Sequence, residues 1–111
     1  MFARIAMFPI PPGAAEELTG IFHDTIIPAF REMPGFQAFT LLIDHPNNRV
    51  MGITVWDNEA TVRQHEASGV FRPLIAKISH LFAGPAQVQF YDQALHVSIS
   101  ETDEPLAGGI H

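Results

Sequence analysis

Few residues in this chain have the type and spacing to do chemistry, and each also has a plainer reading. Trp56 closes the apolar run 50–56, where Gly52 and Thr54 precede it by four and two positions. An indole beside such small side chains can wall a pocket and stack on a flat ligand. It serves equally well as a core aromatic that closes the end of a sheet. Arg4 alternates with Ala6 and Phe8, so it either presents a guanidinium to a carboxylate or phenolate at one end of a pocket, or reaches out to solvent from the end of its strand. His65, beside Glu66, is a candidate general base if its ring turns toward a pocket mouth, and otherwise a solvated helix histidine. The other histidines, His23, His45, His80, His96 and His111, form no H-x-H or H-x-x-x-H pair, so no metal motif is present in the sequence. His23 and His80 read as surface residues beside carboxylates, and Tyr91, the single tyrosine, as a strand aromatic or a pocket hydroxyl. There is no Gly-rich phosphate loop and no Ser/His/Asp arrangement. With no cysteine, disulfides, thiolate metal sites and cysteine nucleophiles are excluded.

The elements that must position these residues follow from periodicity. Residues 2–8 are short, apolar and stopped by Pro9, Pro11, Pro12 and Gly13, which predicts a strand. Leu18, Ile21, Phe22, Thr25, Ile26, Ala29 and Met33 recur every three or four positions and predict a helix with one apolar stripe. Glu16 and Glu17 suit its N-terminal dipole, and Pro28 within it predicts a kink or a detached last turn. Residues 36–43 and 50–56 read as strands joined by the turn-forming residues 44–48 into a hairpin. Asn58 predicts the cap of a short helix over 59–67, broken by Ser68-Gly69. A further helix is expected from about 71 to 82 with Phe71, Leu74, Ile75, Ile78, Leu81 and Phe82 inward, then a strand over 86–92. The order β-α-β-β-α-α-β is an α+β, ferredoxin-like arrangement with a four-stranded antiparallel sheet over residues 1–92. In 93–111, the alternation of Leu95, Val97 and Ile99 suggests a fifth short strand, followed by an acidic, Pro/Gly-containing extended tail.

Composition narrows the partners. A chain of 111 residues fits one domain, and 47% hydrophobic against 16% charged residues is more apolar than a small monomer needs. The net charge of −6 and six scattered cations offer no patch for nucleic acid or an anionic membrane. No apolar run approaches the ~20 residues of a membrane span. The N-terminus lacks signal-peptide features, so a cytoplasmic location is the default expectation.

Neither face of the expected sheet is built for water. One parity carries Ala3, Ile5, Met7, Phe39, Leu41, Ile43, Met51, Ile53 and Val55. Since helices cover one face only, a second copy is expected to bury the other, making the chain a homodimer held by Phe39, Leu41, Met51, Ile53 and Val55. The opposite parity places Ala6, Ala38, Thr40, Gly52, Thr54 and Trp56 beneath Phe22, Ile26, Phe71 and Ile75 of the helices. Side chains that short leave space, which predicts a cavity large enough for an aromatic ligand, with Trp56 in its wall.

Three segments carry a family resemblance: Arg31-Glu32-Met33-Pro34-Gly35-Phe36 at the helix-to-strand junction, Val50 to Trp56 followed by Asp57, and Ala67-Ser68-Gly69-Val70-Phe71 before the last helix. In order and spacing they resemble the antibiotic biosynthesis monooxygenases of the dimeric α/β barrel superfamily, over about residues 2–92. The resemblance implies two four-stranded sheets packed into a barrel, with a pocket between sheet and helices in each subunit. In the haem-degrading branch an asparagine, a tryptophan and a histidine fall by position on Ala6, Trp56 and Ile75, and only Trp56 matches. An isoleucine cannot ligate iron, so no haem and no other cofactor is expected. The quinone-forming, cofactor-free branch carries an asparagine four residues before the tryptophan, where this chain has Gly52.

Two functions follow as expectations. The first is a cofactor-independent monooxygenase or related enzyme acting on a small, flat, apolar molecule. Its binding residues would be Trp56, Thr54, Thr40, Phe22, Phe71 and Ile75, with His65 or Arg4 as the polar element. The second is a non-catalytic, ligand-binding or stress-responsive dimeric module. Polar content separates them, since an oxygenase pocket needs at least one convergent donor or base.

Overall fold

The computed structural model describes residues 1–99. Four strands, β1 (Phe2–Pro9), β2 (Phe36–Asp44), β3 (Arg49–Trp56) and β4 (Gln87–Asp92), form one antiparallel sheet in the order β2-β3-β1-β4. The helices are α1 (Ala15–Ile21), α2 (Ile27–Arg31), α3 (Glu59–Ser68) and α4 (Arg72–Ala76). This is the α+β, ferredoxin-like order expected from the sequence, with β1 and β3 central.

Pro28 has the effect its chemistry demands. Between α1 and α2 the ladder slips into a π-turn over Phe22–Ile26, where the Ile27 N–H reaches back five residues to the Phe22 carbonyl. The wider turn leads into Pro28, which has no N–H to offer. Phe22, Ile26 and Phe30 are buried on either side of that slip, so the stripe stays on the sheet. The expected helix over 71–82 is shorter. It ends at Ala76, and a 3₁₀ turn follows at Ser79–Leu81. Pro73 must sit in a first turn, leaving few residues to nucleate a long helix before Gly84-Pro85.

Asn58 caps α3, its side-chain oxygen accepting from the Thr61 N–H at 2.9 Å, and Gly69 ends it in the left-handed conformation. Gly35 makes the other essential turn, with φ +86°. A Cβ there would lie 2.6 Å from both Asp57 Oδ1 and Thr61 Cγ2, so this junction packs directly against the end of β3 and the start of α3. The Asp57 N–H donates to the Gly35 carbonyl at 2.9 Å, which pins the two ends together.

The register corrects one expectation. Phe36 pairs with Trp56, but Ala38 pairs with Val55, so Gln37 is an extra residue in β2. This β-bulge reverses the parity of everything after it. Phe36, Phe39, Leu41 and Ile43 therefore pack on the helix-side core, and Phe39 stacks on Phe22 at 5.1 Å. Ala38, Thr40 and Leu42 are exposed on the other side. Phe39 and Leu41 do not belong to the open face.

That open face carries Ile5, Met7, Thr40, Leu42, Met51, Ile53 and Val55, with Gln87, Gln89 and Tyr91 on β4 beside it. No helix covers it. The expected strand at 95–99 does not form. Residues 93–98 hold no regular structure, and Leu95, Val97 and Ile99 are exposed. An alternating pattern becomes a strand only by pairing with a neighbouring edge, and 93–98 make no such pairing. The acidic tail from Glu101 lies outside the described residues. Among the described residues no helix is long and apolar enough to cross a membrane.

Candidate functional site

The cavity lies between the helix-side face of the sheet and the α4 segment. Arg4 and Ala6 of β1 with Gly52 and Thr54 of β3 make its floor, aligned because Arg4 pairs with Thr54 and Ala6 with Gly52. Phe22, Phe30 and Phe39 wall one side, and Phe71, Leu74 and Ile78 another. Ile75 and Val88 stand partly exposed at the mouth. Gly52 matters because a Cβ there would already touch the Phe39 ring at 3.6 Å.

The enclosed space is about 70 Å³. A dry cavity that admits benzene is about 150 Å³, so the expected ready-made space for an aromatic ligand is not present. Large helix residues descend to fill most of the gap above the small floor residues, and Phe39, brought over by the bulge, fills more. Entry of a ring requires the mouth to open.

The sequence-picked residues separate into three groups. Thr54, Phe22, Phe71, Ile75 and Arg4 come together around the cavity. Thr40 does not, because the bulge turns it to the open face. Trp56 does not line the cavity either. It is fully buried one layer behind, with Phe30 at 6.2 Å, Phe71 at 5.9 Å and Phe36 at 5.6 Å between ring centres. Its indole Nε1 is buried without a hydrogen-bond partner. His65 packs its ring 4.9 Å from that indole, and its Nε2 lies 3.0 Å from the Pro34 carbonyl. A carbonyl only accepts, so Nε2 is the donor in this contact. His65 is thus held against Trp56 and the Pro34 turn and does not line the cavity.

Arg4 does not extend into solvent from the strand end but is largely buried. It is 8% exposed, its Nε donates to Glu66 Oε1, and its guanidinium lies 4.5 Å from the centre of the Phe71 ring. Thr54 braces the strand beneath, its hydroxyl donating to the Arg4 carbonyl at 3.3 Å. Glu66 is the residue that reading the sequence missed. Its position was recoverable, since Val62 is buried on α3 and Glu66 lies one turn further along the same face. Phe30 and Phe39 were missed because the π-turn and the bulge each shift a periodicity by one residue.

Among the described residues no cluster of three or more His, Asp or Glu could hold a metal. Nor do the residues fit haem at the family's ligand position, where Ile75 offers only hydrocarbon at the cavity mouth.

Comparison with known proteins agrees with this geometry. The family model for antibiotic biosynthesis monooxygenase matches residues 1–77, and the chain belongs to that family. A monooxygenase from the gene ActVA-Orf6 of Streptomyces coelicolor, solved with the ligand nanaomycin D, has the same fold. The TM-score is 0.73 at 22% identity, over 89% of this chain and 92% of that one. SnoaB, a cofactor-independent oxygenase from Streptomyces nogalater, superposes with TM-score 0.68 at 23% identity, over 86% and 95% of the two chains. Rv0793 from Mycobacterium tuberculosis gives 0.66 at 20% identity, over 87% and 98%. No curated protein matches the chain.

Proposed function

We propose that this chain is a cofactor-independent monooxygenase that acts on a small, flat, apolar molecule held between sheet and helices. The observation that carries the reading is the cleft itself, apolar on every side and ended by one buried cation, Arg4. Apolar walls orient a ring, and a fixed charge-assisted donor at one end sets which edge faces inward. The neighbours described as a monooxygenase in complex with nanaomycin D and as a cofactor-independent oxygenase support this choice of chemistry.

Ligand entry requires movement of the α4 segment. α4 has five residues, and its Ile75 stands at the mouth, 38% exposed. So short a helix has little stability of its own and depends on Leu74 and Ile78 for its seating. Lifting that pair by a few ångströms opens the cleft. Trp56 then acts from behind Phe71, stiffening the wall without touching the ligand.

The working unit we propose is a homodimer through the open sheet face, with Ile5, Met7, Leu42, Met51, Ile53 and Val55 at its centre. That face is apolar and uncovered in the isolated chain, a liability for a small soluble domain unless a second copy covers it.

Oxygen uptake by the full chain with 1-naphthol, in the presence of a chelator, tests the reaction. One naphthol and one O₂ give one naphthoquinone and one water, so quinone absorbance and oxygen loss should rise together in equal amounts. Binding without oxygen uptake supports the second reading, a ligand-binding module. One observation favours that alternative: among the described residues Arg4 and Thr54 are the only polar side chains on the cleft, and neither type serves as a general base.

A further inference from the structure

We propose that Arg4 selects ligands whose flat ring carries an anionic oxygen on one edge, a carboxylate or an ionised phenol, and that Glu66 is the positioning residue that aims it. The inference rests on the sheet–helix cleft being a ligand site, as proposed above.

Arg4 is the single charged side chain that lines the cleft among the described residues. A buried arginine needs a partner, and Glu66 supplies one, but through Nε alone. The two Nη groups make no hydrogen bond to any described residue. Nor are they sealed in. Fully enclosed, unpaired polar atoms among the described side chains come down to Trp56 Nε1 alone. The Nη groups therefore keep some accessible surface, on a side chain that lines the cleft. A guanidinium held by its Nε presents two parallel Nη–H donors outward, the geometry that matches a carboxylate or a charged oxygen.

Two contacts fix the direction of that fork. Glu66 holds the Nε edge, and the Phe71 face, 4.5 Å from the guanidinium carbon, holds the plane. Both come from the same side, α3 and the turn that follows it.

The charges are also unequally exposed. The Arg4 side chain is 9% exposed and that of Glu66 34%. Solvent screens the carboxylate more than the guanidinium, so the positive charge beside the cleft is the less screened of the two. An ion pair serving stability alone would more naturally use the bidentate arrangement and leave no fork unpaired.

Calorimetric titration of the full chain with 2-naphthoate and with its neutral amide reads this directly. The naphthoate is expected to bind about tenfold or more tightly than the amide, the worth of a hydrogen bond to a charged group. Arg4→Met should bring the two probes to parity while the amide still binds, and Arg4→Lys should keep only part of the preference. Glu66→Ala should lower the naphthoate-to-amide ratio and Glu66→Gln, which retains an acceptor for Nε, should restore it, a pattern that a structural role would not produce. A naphthol titrated on both sides of its own ionisation separates the two oxygen sources. Tightening on ionisation assigns the phenolate, and a preference confined to naphthoate assigns the carboxylate. Equal wild-type affinity for naphthoate and amide overturns the inference while leaving the cleft as a ligand site. If neither probe binds, the cleft reading fails with it. The wild-type ratio needs no variant, so a misfolded Arg4→Met would not spare the proposal.

Discussion

The two faces of the sheet are made from the same four strands, yet they have become different materials. The helix-side face carries Phe8, Phe39, Gly52, Thr54 and Trp56, large beside small, sealed by aromatic contacts and holding one buried cation. The open face carries Ile5, Met7, Leu42, Met51, Ile53 and Val55 at its centre, aliphatic and uncovered by any helix among the described residues, with Thr40, Gln87, Gln89 and Tyr91 beside them and the Asp44–Arg49 pair at the hairpin end. Variation in size on one face makes a site, because a glycine beside a phenylalanine leaves a place for something else. Uniformity on the other makes a seam, because aliphatic side chains of similar height meet their own copies without gaps.

Substitution at the seam should have the largest effect. Ile53→Asp would place one carboxylate from each copy in a symmetric, water-free interface, so a penalty of several kcal/mol per ion applies twice. Sedimentation should show wild-type dimers and mutant monomers at micromolar concentration, with the monomer still folded, because Ile53 makes no contribution to the helix-side core. A wild-type monomer, or a mutant that stays dimeric, removes the seam from this face.

On the other face the same kind of test reads stability. Phe30 is 6% exposed and touches Phe36, Phe39, Trp56 and Phe71. Phe30→Ala should cost about 3–5 kcal/mol in urea unfolding, whatever the protein concentration. Leu42→Ala, at the seam, should cost little in the dilute monomer and more as concentration rises. If both effects depend equally on concentration, the two faces are not independent.

Gly52 probes how much room the helix-side face still holds. A Cβ meets Phe39 at 3.6 and 3.8 Å, ordinary contact, so Gly52→Ala should be accepted with a change of less than about 0.5 kcal/mol. Gly52→Leu must push a branched side chain into about 70 Å³ beside Phe39, and should cost roughly 1–3 kcal/mol while abolishing naphthoate binding. A stable Gly52→Leu variant that still binds the probe would place the ligand elsewhere.

What the sequence disclosed about these faces depended on whether each strand kept an unbroken count. β1 and β3 pair residue by residue from Phe2–Trp56 to Pro9–Arg49, so Arg4, Ala6, Gly52 and Thr54 were placed on one face from alternation alone. β2 adds Gln37, and from there each side chain lies opposite to the simple count. Thr40 was misplaced for that reason, and Phe39 and Leu41 with it. A bulge leaves no mark in composition, since phenylalanine, alanine and leucine suit either side of an apolar sheet. The helix stripe held through Phe22 and Ile26, but beyond the π-turn the buried residue is Phe30 where the simple count gave Ala29. Trp56 was recognised as special, but alternation gives a face and not a depth, and depth puts Phe71 between the indole and the cavity. The Arg4–Glu66 pair joins positions 62 residues apart, beyond what any local pattern encodes.

A small net effect is expected at Trp56, and it decides how the buried indole is accommodated. Its Nε1 has no partner, and an unpaired buried N–H costs about 1–3 kcal/mol. Trp56→Phe removes that donor, which stabilises, and also removes part of a ring packed against Phe36, His65 and Phe71, which destabilises by a similar amount. The two contributions oppose each other, so the net change in urea unfolding should be about 1 kcal/mol or less, far below that of Phe30→Ala. Because Trp56 stands behind the wall, naphthoate affinity should also move by less than about threefold, well under a lost charge-assisted hydrogen bond. A loss near 3 kcal/mol would mean that an ordered water satisfies Nε1 in solution. A large loss of naphthoate affinity with stability intact would bring the indole to the ligand, and the opening of the cleft would then have to carry Phe71 away from it.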